Sequence, residues 1–398
     1  MRMKFNKSSQ LLLVSAASLL AAGLMTACAT LTVDFVFVAS SKAAGTNSYG
    51  EIDVFEVNSE SGHMRQIPTS PFPSGGRNPV AEAVSSDNTN LYVVNHDDNA
   101  IVQFAIGNDG KVYPQNTVNT PGVYPMAVAV GGSNLFVVDT YQPLPTCSNA
   151  APCSGSIAVY PVATTGQLGP PAANGNLNYW PLTLPGSPKD VLVPTAVGIL
   201  GTDVYVTAYD ATATPNAGYV FGFAVGSGGA LAPLNGGVPF AAGTHPSAIA
   251  GDPTATYVYV TDYVSGNVLG YSAASGMLSP LSGSPFPAGD QPTALAIDST
   301  GKFVYVTNAQ DNNVTAYSSS GGALTRLGSY TTGTQPVAIG IDPSANQFVY
   351  TANYLGNNVS GFELSPTAGT LLNTQNSPYT ANAQPTAVAA IPHGSTKK

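Results

Sequence analysis

Residues 289–317, GDQPTALAIDSTGKFVYVTNAQDNNVTAY, hold three short apolar runs, TALAI, FVYVT and NVTAY, each bounded by turn residues. The stretch Asp298-Ser-Thr-Gly301 between the first two is a tight turn with Asp leading and Gly closing, and Asp311-Asn-Asn313 makes the next. Apolar positions alternate, and Val, Tyr, Phe and Thr dominate, so the runs are strands. Three antiparallel strands leave two open edges and bury neither face alone, so the unit needs neighbours. The chain supplies them. Aligned on its opening proline the unit returns at Pro79, Pro125, Pro194, Pro246, Pro292, Pro336 and Pro385, with spacings of 46, 69, 52, 46, 44 and 49 residues. A period in the forties with several strands per copy specifies an all-β fold, a β-propeller of four-stranded antiparallel blades.

Two residues after each proline stands Ala (Ala81, Ala127, Ala196, Ala248, Ala294, Ala338, Ala387), and four after it Ala or Gly. Small residues on alternate positions suit an innermost strand, where blades crowd towards the axis. The third run ends in an aromatic every time, at Phe55, Phe104, Tyr160, Phe223, Tyr271, Tyr317 and Phe362, suited to the wider gap between blades further out. The first copy starts at its second strand, near Val33, and the last, residues 384–391, is only an opening strand. Pairing the two closes a ring of seven blades and removes its edges.

Residues 1–28 are expected to stand outside this fold, leaving 29–398 as one propeller domain. Arg2, Lys4 and Lys7 precede an apolar stretch, residues 11–24, too short to span a bilayer. LMTAC, ending at Cys28, resembles a bacterial lipobox, which implies acylation of Cys28; the alternative is ordinary cleavage near Ala27 or Ala29. Either reading exports the chain, and the acylated one holds it in the cell envelope with membrane attachment through the lipid alone. Cys147 and Cys153 then remain as a pair within one loop, expected as a disulfide; a metal site is the rival reading, but no His or further Cys lies near.

Removing Arg2, Lys4 and Lys7 leaves nine basic residues against 21 acidic, a net charge of −12. With only 8% charged residues, the surface is neutral and unlike a nucleic-acid binder. No phosphate loop, zinc spacing or serine-nucleophile motif occurs, so no metal and no cofactor is expected, and a monomer is.

The run Val-Tyr-Val-Thr-Asn at 304–308, echoed at residues 91–95, 204–208, 258–262 and 349–353, resembles the YVTN-type repeat. Together with Gly-Ser-Pro-Phe-Pro at 283–287, it makes the chain similar to the bacterial lactonase-like, seven-bladed propeller family over nearly its whole exported length. That resemblance implies hydrolysis of sugar lactones, or cycloisomerase chemistry, by Arg, His and Glu gathered in an axial pocket. Residues 29–398 hold only Arg65, Arg77 and Arg326 and four histidines, and repeat position gathers none of them with a Glu. The reading that fits the residues is therefore a binding or scaffold propeller, taking a sugar, glycan or envelope protein. The alternative is a lactone hydrolase, 6-phosphogluconolactonase-like.

Strand order places the loops from second to third strand, and those entering each blade, on one face. These loops are long after Ser40, Thr140 and Tyr209, and a Pro-rich insertion at 169–192 holds the single tryptophan, Trp180, so recognition is expected here. Residues preceding the prolines, Asn78, Tyr124, Val193, His245, Gln291, Gln335 and Gln384, should ring the mouth, with Asn95, Asp139, Asp262, Asn308 and Asn353 beside them. They would bind sugar hydroxyls or, equally, hydrogen-bond loop backbones. The sequence His96-Asp97-Asp98 reads as a catalytic cluster or a solvated turn. Glu82 breaks the pattern most sharply: six blades place Val, Ile or Leu at its position, so it is an acid/base group or ligand anchor, or else a structural ion pair with Arg77.

Overall fold

The computed structural model describes residues 32–44, 47–143, 153–187, 189–343, 347–382 and 384–393. Cys28 and Cys147 lie outside them, so acylation and the Cys147–Cys153 bridge belong with the proposals below. The described strands form seven antiparallel sheets, each a blade whose strands follow chain order outwards from the axis. Blade 1 is the exception that closes the ring. Its second strand, Thr32–Ala44, pairs outwards with Tyr49–Asn58 and inwards with the last strand, Pro385–Pro392. Phe35 stands opposite Ile391, and Val38 opposite Val388.

Each innermost strand begins with the same distortion. Register slips by one residue directly after the proline, leaving Val80, Met126, Thr195, Ser247, Thr293, Val337 and Thr386 as single-residue bulges. Three of these turn their hydroxyls to the neighbouring blade. Ser247 Oγ donates to the Pro292 carbonyl (2.6 Å), Thr293 Oγ1 to that of Pro336 (2.8 Å) and Thr386 Oγ1 to that of Pro79 (2.8 Å). The small residues four places after each proline are explained at the same seams. A Cβ on Gly198 would meet the Ile249 carbonyl oxygen at 3.0 Å, so the inner strands pack at backbone distance.

Further out, seven apolar clusters fill the seven seams, each containing one of the third-strand aromatics. The tyrosine of the Val-Tyr-Val motif crosses its seam. Tyr92, Tyr205, Tyr259 and Tyr305 are buried and donate their hydroxyls to the carbonyls of Gly166, Gly276, Gly322 and Gly369 in the following blade, at 2.7–3.2 Å. Each hydroxyl satisfies a buried carbonyl in the partner blade, a net gain of about 1 kcal/mol per bond. The motif is thus a seam staple.

Trp180 does not line the mouth. The Pro-rich insertion supplies the outer strand of blade 3, Trp180–Pro181, which pairs with Ser156 and Ile157, and the indole is 6% exposed in the seam between blades 3 and 4. An insertion rich in proline reads as surface loop; here the core of a wide seam took its largest apolar side chain.

Deleting residues 384–398 strips Thr32–Ala44 of its inner partner and opens the ring. The truncated protein is expected to aggregate or lose its cooperative melting transition; a soluble monomer with the full-length melting temperature would contradict closure by this strand.

Candidate functional site

The face with the long loops is built in two layers. The lower layer is the set of polar residues ending the second strands. Asn95, Asp139, Asp262, Asn308 and Asn353 are all 0–1% exposed. Asn308 accepts from the Gly289 N–H (3.0 Å) and donates to Asn313 Oδ1 (2.7 Å) and Thr315 Oγ1 (2.9 Å). Asn353 donates likewise to Asn358 Oδ1 (2.7 Å) and Ser360 Oγ (2.9 Å). Asp262 accepts from the backbone N–H groups of Thr244 (2.8 Å), His245 (3.0 Å) and Val264 (3.3 Å) and from Thr244 Oγ1. Burial alone would push its pKa up, but bonds from Ser265, Thr244 and His245 outweigh burial and hold it below the usual carboxylate range. These side chains pin the loops; they are not presented to solvent.

The upper layer is the ring before the prolines. Asn78, Tyr124, Gln291, Gln335 and Gln384 adopt left-handed φ of 53–60°, a conformation costing a non-glycine residue on the order of 1 kcal/mol. Hydrogen bonds hold it in place. The N–H groups of Tyr124, Gln335 and Gln384 donate to Asn99, Asn312 and Asn357 Oδ1 of the preceding blade at 2.7–2.9 Å. The carbonyls of Asn78, Gln291 and Gln335 accept from the first residue after their own second strand. Val193 and His245 do not adopt the left-handed form. Gln291, Gln335, Gln384 and His245 are half-buried with part of their surface at the mouth.

His245 lies against Tyr209, ring centroids 4.1 Å apart, and near Tyr263 at 5.7 Å. Burial lowers its pKa in spite of Asp262, so the imidazole is neutral at pH 7, and Nδ1 has no partner among the described residues. On the other side of the mouth His96 Nδ1 meets Asp97 Oδ1 at 2.6 Å, and its ring stacks on Tyr124 at 4.7 Å and 9°. The resulting His–Asp dyad leaves Nε2 as its second ring nitrogen. A pocket of about 180 Å³ continues the site between blades 5 and 6, lined by Tyr263, Ser265, Asp290, Gln291 and Gln310.

Arg77 does not answer Glu82. Its guanidinium pairs with Asp98 (Nε–Oδ1 2.7 Å) and donates to the Asp97 carbonyl (3.1 Å), because the turn 96–98 folds back beside it. Glu82 instead points into the seam between blades 1 and 2, opposite Val93 and next to the closing strand, and neither carboxyl oxygen takes a hydrogen bond. Burial pushes its pKa up to about 8; the backbone N–H groups of Ala389 and Ala39 pull the other way but are too poorly placed to bond.

Arg65, His63 and Glu56, scattered over the third and outer strands of blade 1, come together elsewhere. They line a cavity of about 410 Å³ on the opposite face, with Thr32, Asn58 and Asn376. Arg65 Nε donates to Glu56 Oε1 at 2.6 Å, so the ion pair is internal to the cavity. Among the described residues, no group of three or more His, Cys, Asp and Glu could hold a metal ion.

Sequence reasoning missed the aromatic side chains at the mouth. Tyr209 and Tyr263 directly follow the runs 204–208 and 258–262, as His96 and Tyr354 follow 91–95 and 349–353, and that recurrence was the available signal. Tyr141 had none, since it stands one place further on.

A closed ring of seven four-stranded blades with a polar, aromatic mouth on one face defines a seven-bladed β-propeller. The sequence profile of the lactonase, seven-bladed β-propeller family matches residues 36–175 and 269–393, and the chain belongs to that family. No curated protein matches it in sequence. Solved structures share the fold. A protein of Bacteroides uniformis ATCC 8492, named provisionally as a 6-phosphogluconolactonase, superposes with a TM-score of 0.72 at 17% identity, over 91% of this chain and 100% of that one. The periplasmic gluconolactonase of Pseudomonas aeruginosa gives 0.70 at 21% identity, over 90% and 99%.

The Glu82 carboxyl sets a pH dependence. Below about pH 4.5 it is protonated folded and unfolded alike; between 4.5 and 8 only the unfolded chain ionises, so stability falls as pH rises, and above 8 the loss is complete. The full loss is about 5 kcal/mol. Glu82→Gln should therefore gain stability over the native protein steadily from pH 4.5 to 8, read as denaturant midpoints; a pH-independent difference would place the ionised group in contact with water.

Proposed function

We propose that the protein is an exported propeller of the cell envelope that binds a neutral, hydroxyl-rich ligand at the long-loop face. The observation carrying this reading is the composition of the mouth. It offers the amides of Gln291, Gln335 and Gln384 and the neutral His245, while its one guanidinium, Arg77, is committed to Asp98. Amides and a neutral imidazole match hydroxyl groups, whereas a phosphorylated ligand would call for free Arg or Lys. The protein works as a monomer and needs no cofactor in this reading. Screening the purified protein against neutral sugars and envelope glycans tests it. His245→Ala should weaken the binding found by about tenfold with melting unchanged; Arg65→Ala, on the opposite face, should leave binding alone, and the reverse pattern moves the site to the other cavity.

Family membership supports a second reading, hydrolysis of a sugar lactone at the same mouth. His96, oriented by Asp97, would be the general base that takes a proton from the attacking water. Turnover of glucono-1,5-lactone that is lost in His96→Ala establishes it; a rate no higher than the uncatalysed one leaves the binding reading alone.

Attachment through acylated Cys28 orients the molecule. Thr32, four residues further on, enters its strand from the face opposite the mouth. The mouth would then point away from the membrane. Cys28→Ser should release the protein from the membrane fraction or block its maturation, followed by fractionation and intact mass; an unchanged mass and distribution would argue for simple cleavage instead. The Cys147–Cys153 disulfide, proposed for the same exported protein, closes a loop on the mouth face.

A further inference from the structure

The rings at the mouth are not scattered. His96 stacks on Tyr124, Tyr124 meets Tyr141 at 6.0 Å and 66°, Tyr209 packs on His245 and His245 meets Tyr263. The second group, Tyr209 with His245 and Tyr263, belongs to the next two blades. Six half-buried rings thus stand in two packed groups, one on blades 2 and 3 and one on blades 4 and 5. The run ends at the pocket lined by Tyr263, Asp290 and Gln291. At the equivalent place blade 6 has Ala309, so the arc covers about half the circumference.

We infer that this arc is a platform for an extended, uncharged oligosaccharide. Sugar rings have an apolar face of C–H groups and a hydroxyl-bearing edge. The C–H face packs on tyrosine rings, whose own hydroxyls stay wet, while the edge bonds to amides. Here both partners stand side by side: the arc beside Gln291 and the Asn78 amide, which already donates to Asp97 at 3.1 Å. A lone sugar would cover one or two rings; two groups of rings on four consecutive blades match a chain. Charge selects against other ligands with aromatic affinity. Net charge is −9, and Asp97, Asp98 and Asp290 flank the arc, which repels nucleic acids and polyuronates. The buried seam aromatics are unavailable for this role, because their hydroxyls are spent on neighbouring blades.

This inference rests on the long-loop face being the binding face, and the experiment separates the two. Calorimetric titrations of the purified protein would use glucose, cellohexaose, maltohexaose, chitohexaose and hexagalacturonate. At least one neutral hexamer should bind about tenfold or more tightly than glucose, and hexagalacturonate should not bind. Tyr141→Ala and Tyr209→Ala should each weaken that hexamer about tenfold, with melting unchanged, whereas Tyr209→Phe should retain it. If no neutral hexamer binds, or glucose binds equally well, the platform is overturned. Binding of a peptide or a lactone that His245→Ala abolishes and the tyrosine variants leave intact would overturn the arc while keeping the face. A hexamer lost in Arg65→Ala but not in Tyr209→Ala would overturn both.

Discussion

Everything in this molecule depends on the antiparallel ladder of seven facing residue pairs between Thr32–Ala44 and Pro385–Pro392. Blades of four strands have faces too large to leave wet and edges that invite pairing with other chains. Packing each blade on the next buries the faces, but only a closed circle leaves no blade half-covered. Joining the two ends of the chain in one sheet makes closure part of a ladder rather than a docking of surfaces. Each innermost strand accordingly touches the innermost strands on both sides, from blade 1 round to blade 1 again. That crowding dictates Ala and Gly near the axis, and the staples from Tyr92, Tyr205, Tyr259 and Tyr305 fix the spacing further out.

Closure also decides where chemistry is possible. Because every blade starts near the axis and runs the same way, all entering loops and all second-to-third loops share one face. Their backbones carry many N–H groups near the apolar seams, and each needs an acceptor. The buried Asn and Asp at the strand ends meet that need, as Asp262 does with three backbone donors. The visible polar positions are therefore consumed by the scaffold, and the proposed recognition rests on the residues just above them.

That division explains what was legible. The repeat, the closing strand and the face of the long loops follow from turn chemistry and alternation, which are local and recur seven times. The mouth does not recur. Tyr124 precedes a proline, Tyr141 is the last residue of its second strand and Tyr209 the last but one of its own, so no single register position marks the rings, and only the ring's curvature gathers them. Asp262 and Gln291 look alike in sequence as polar residues near a turn, yet one is sealed and the other half-open. Glu82 stood out as a misfit, but its surroundings could not be read, since Arg77, five residues earlier, sits on the far side of the bulge and is captured by Asp98.

Three buried carboxyls show how far hydrogen-bond donors can offset burial in setting a pH effect. Asp262 is nearly inaccessible, yet its donors hold it ionised, so it stabilises the fold above the ordinary carboxylate pKa and loses that contribution in acid. Asp139 ends the corresponding strand in blade 3 and is as deeply buried. It accepts the Gly122 N–H at 3.1 Å through Oδ2, while Oδ1 has no partner among the described residues, and burial pushes it up to about 7. Glu82, with neither oxygen bonded, goes to about 8. Among these three the order follows the hydrogen bonds received, but Asp53, with donors from Ser40, Gln66 and Asn382, is still pushed up to about 6 by burial and the nearby Glu51. Two of the three therefore favour the protonated form near neutrality, and both stand close to the axis, at the blade 1–2 seam and beneath the mouth. Rising pH loads charge on parts of the ring poorly able to solvate it, so alkaline stress should open the blade 1–2 seam, where Glu82 lies, before the seams stapled by Tyr205, Tyr259 and Tyr305, as hydrogen exchange at rising pH would show.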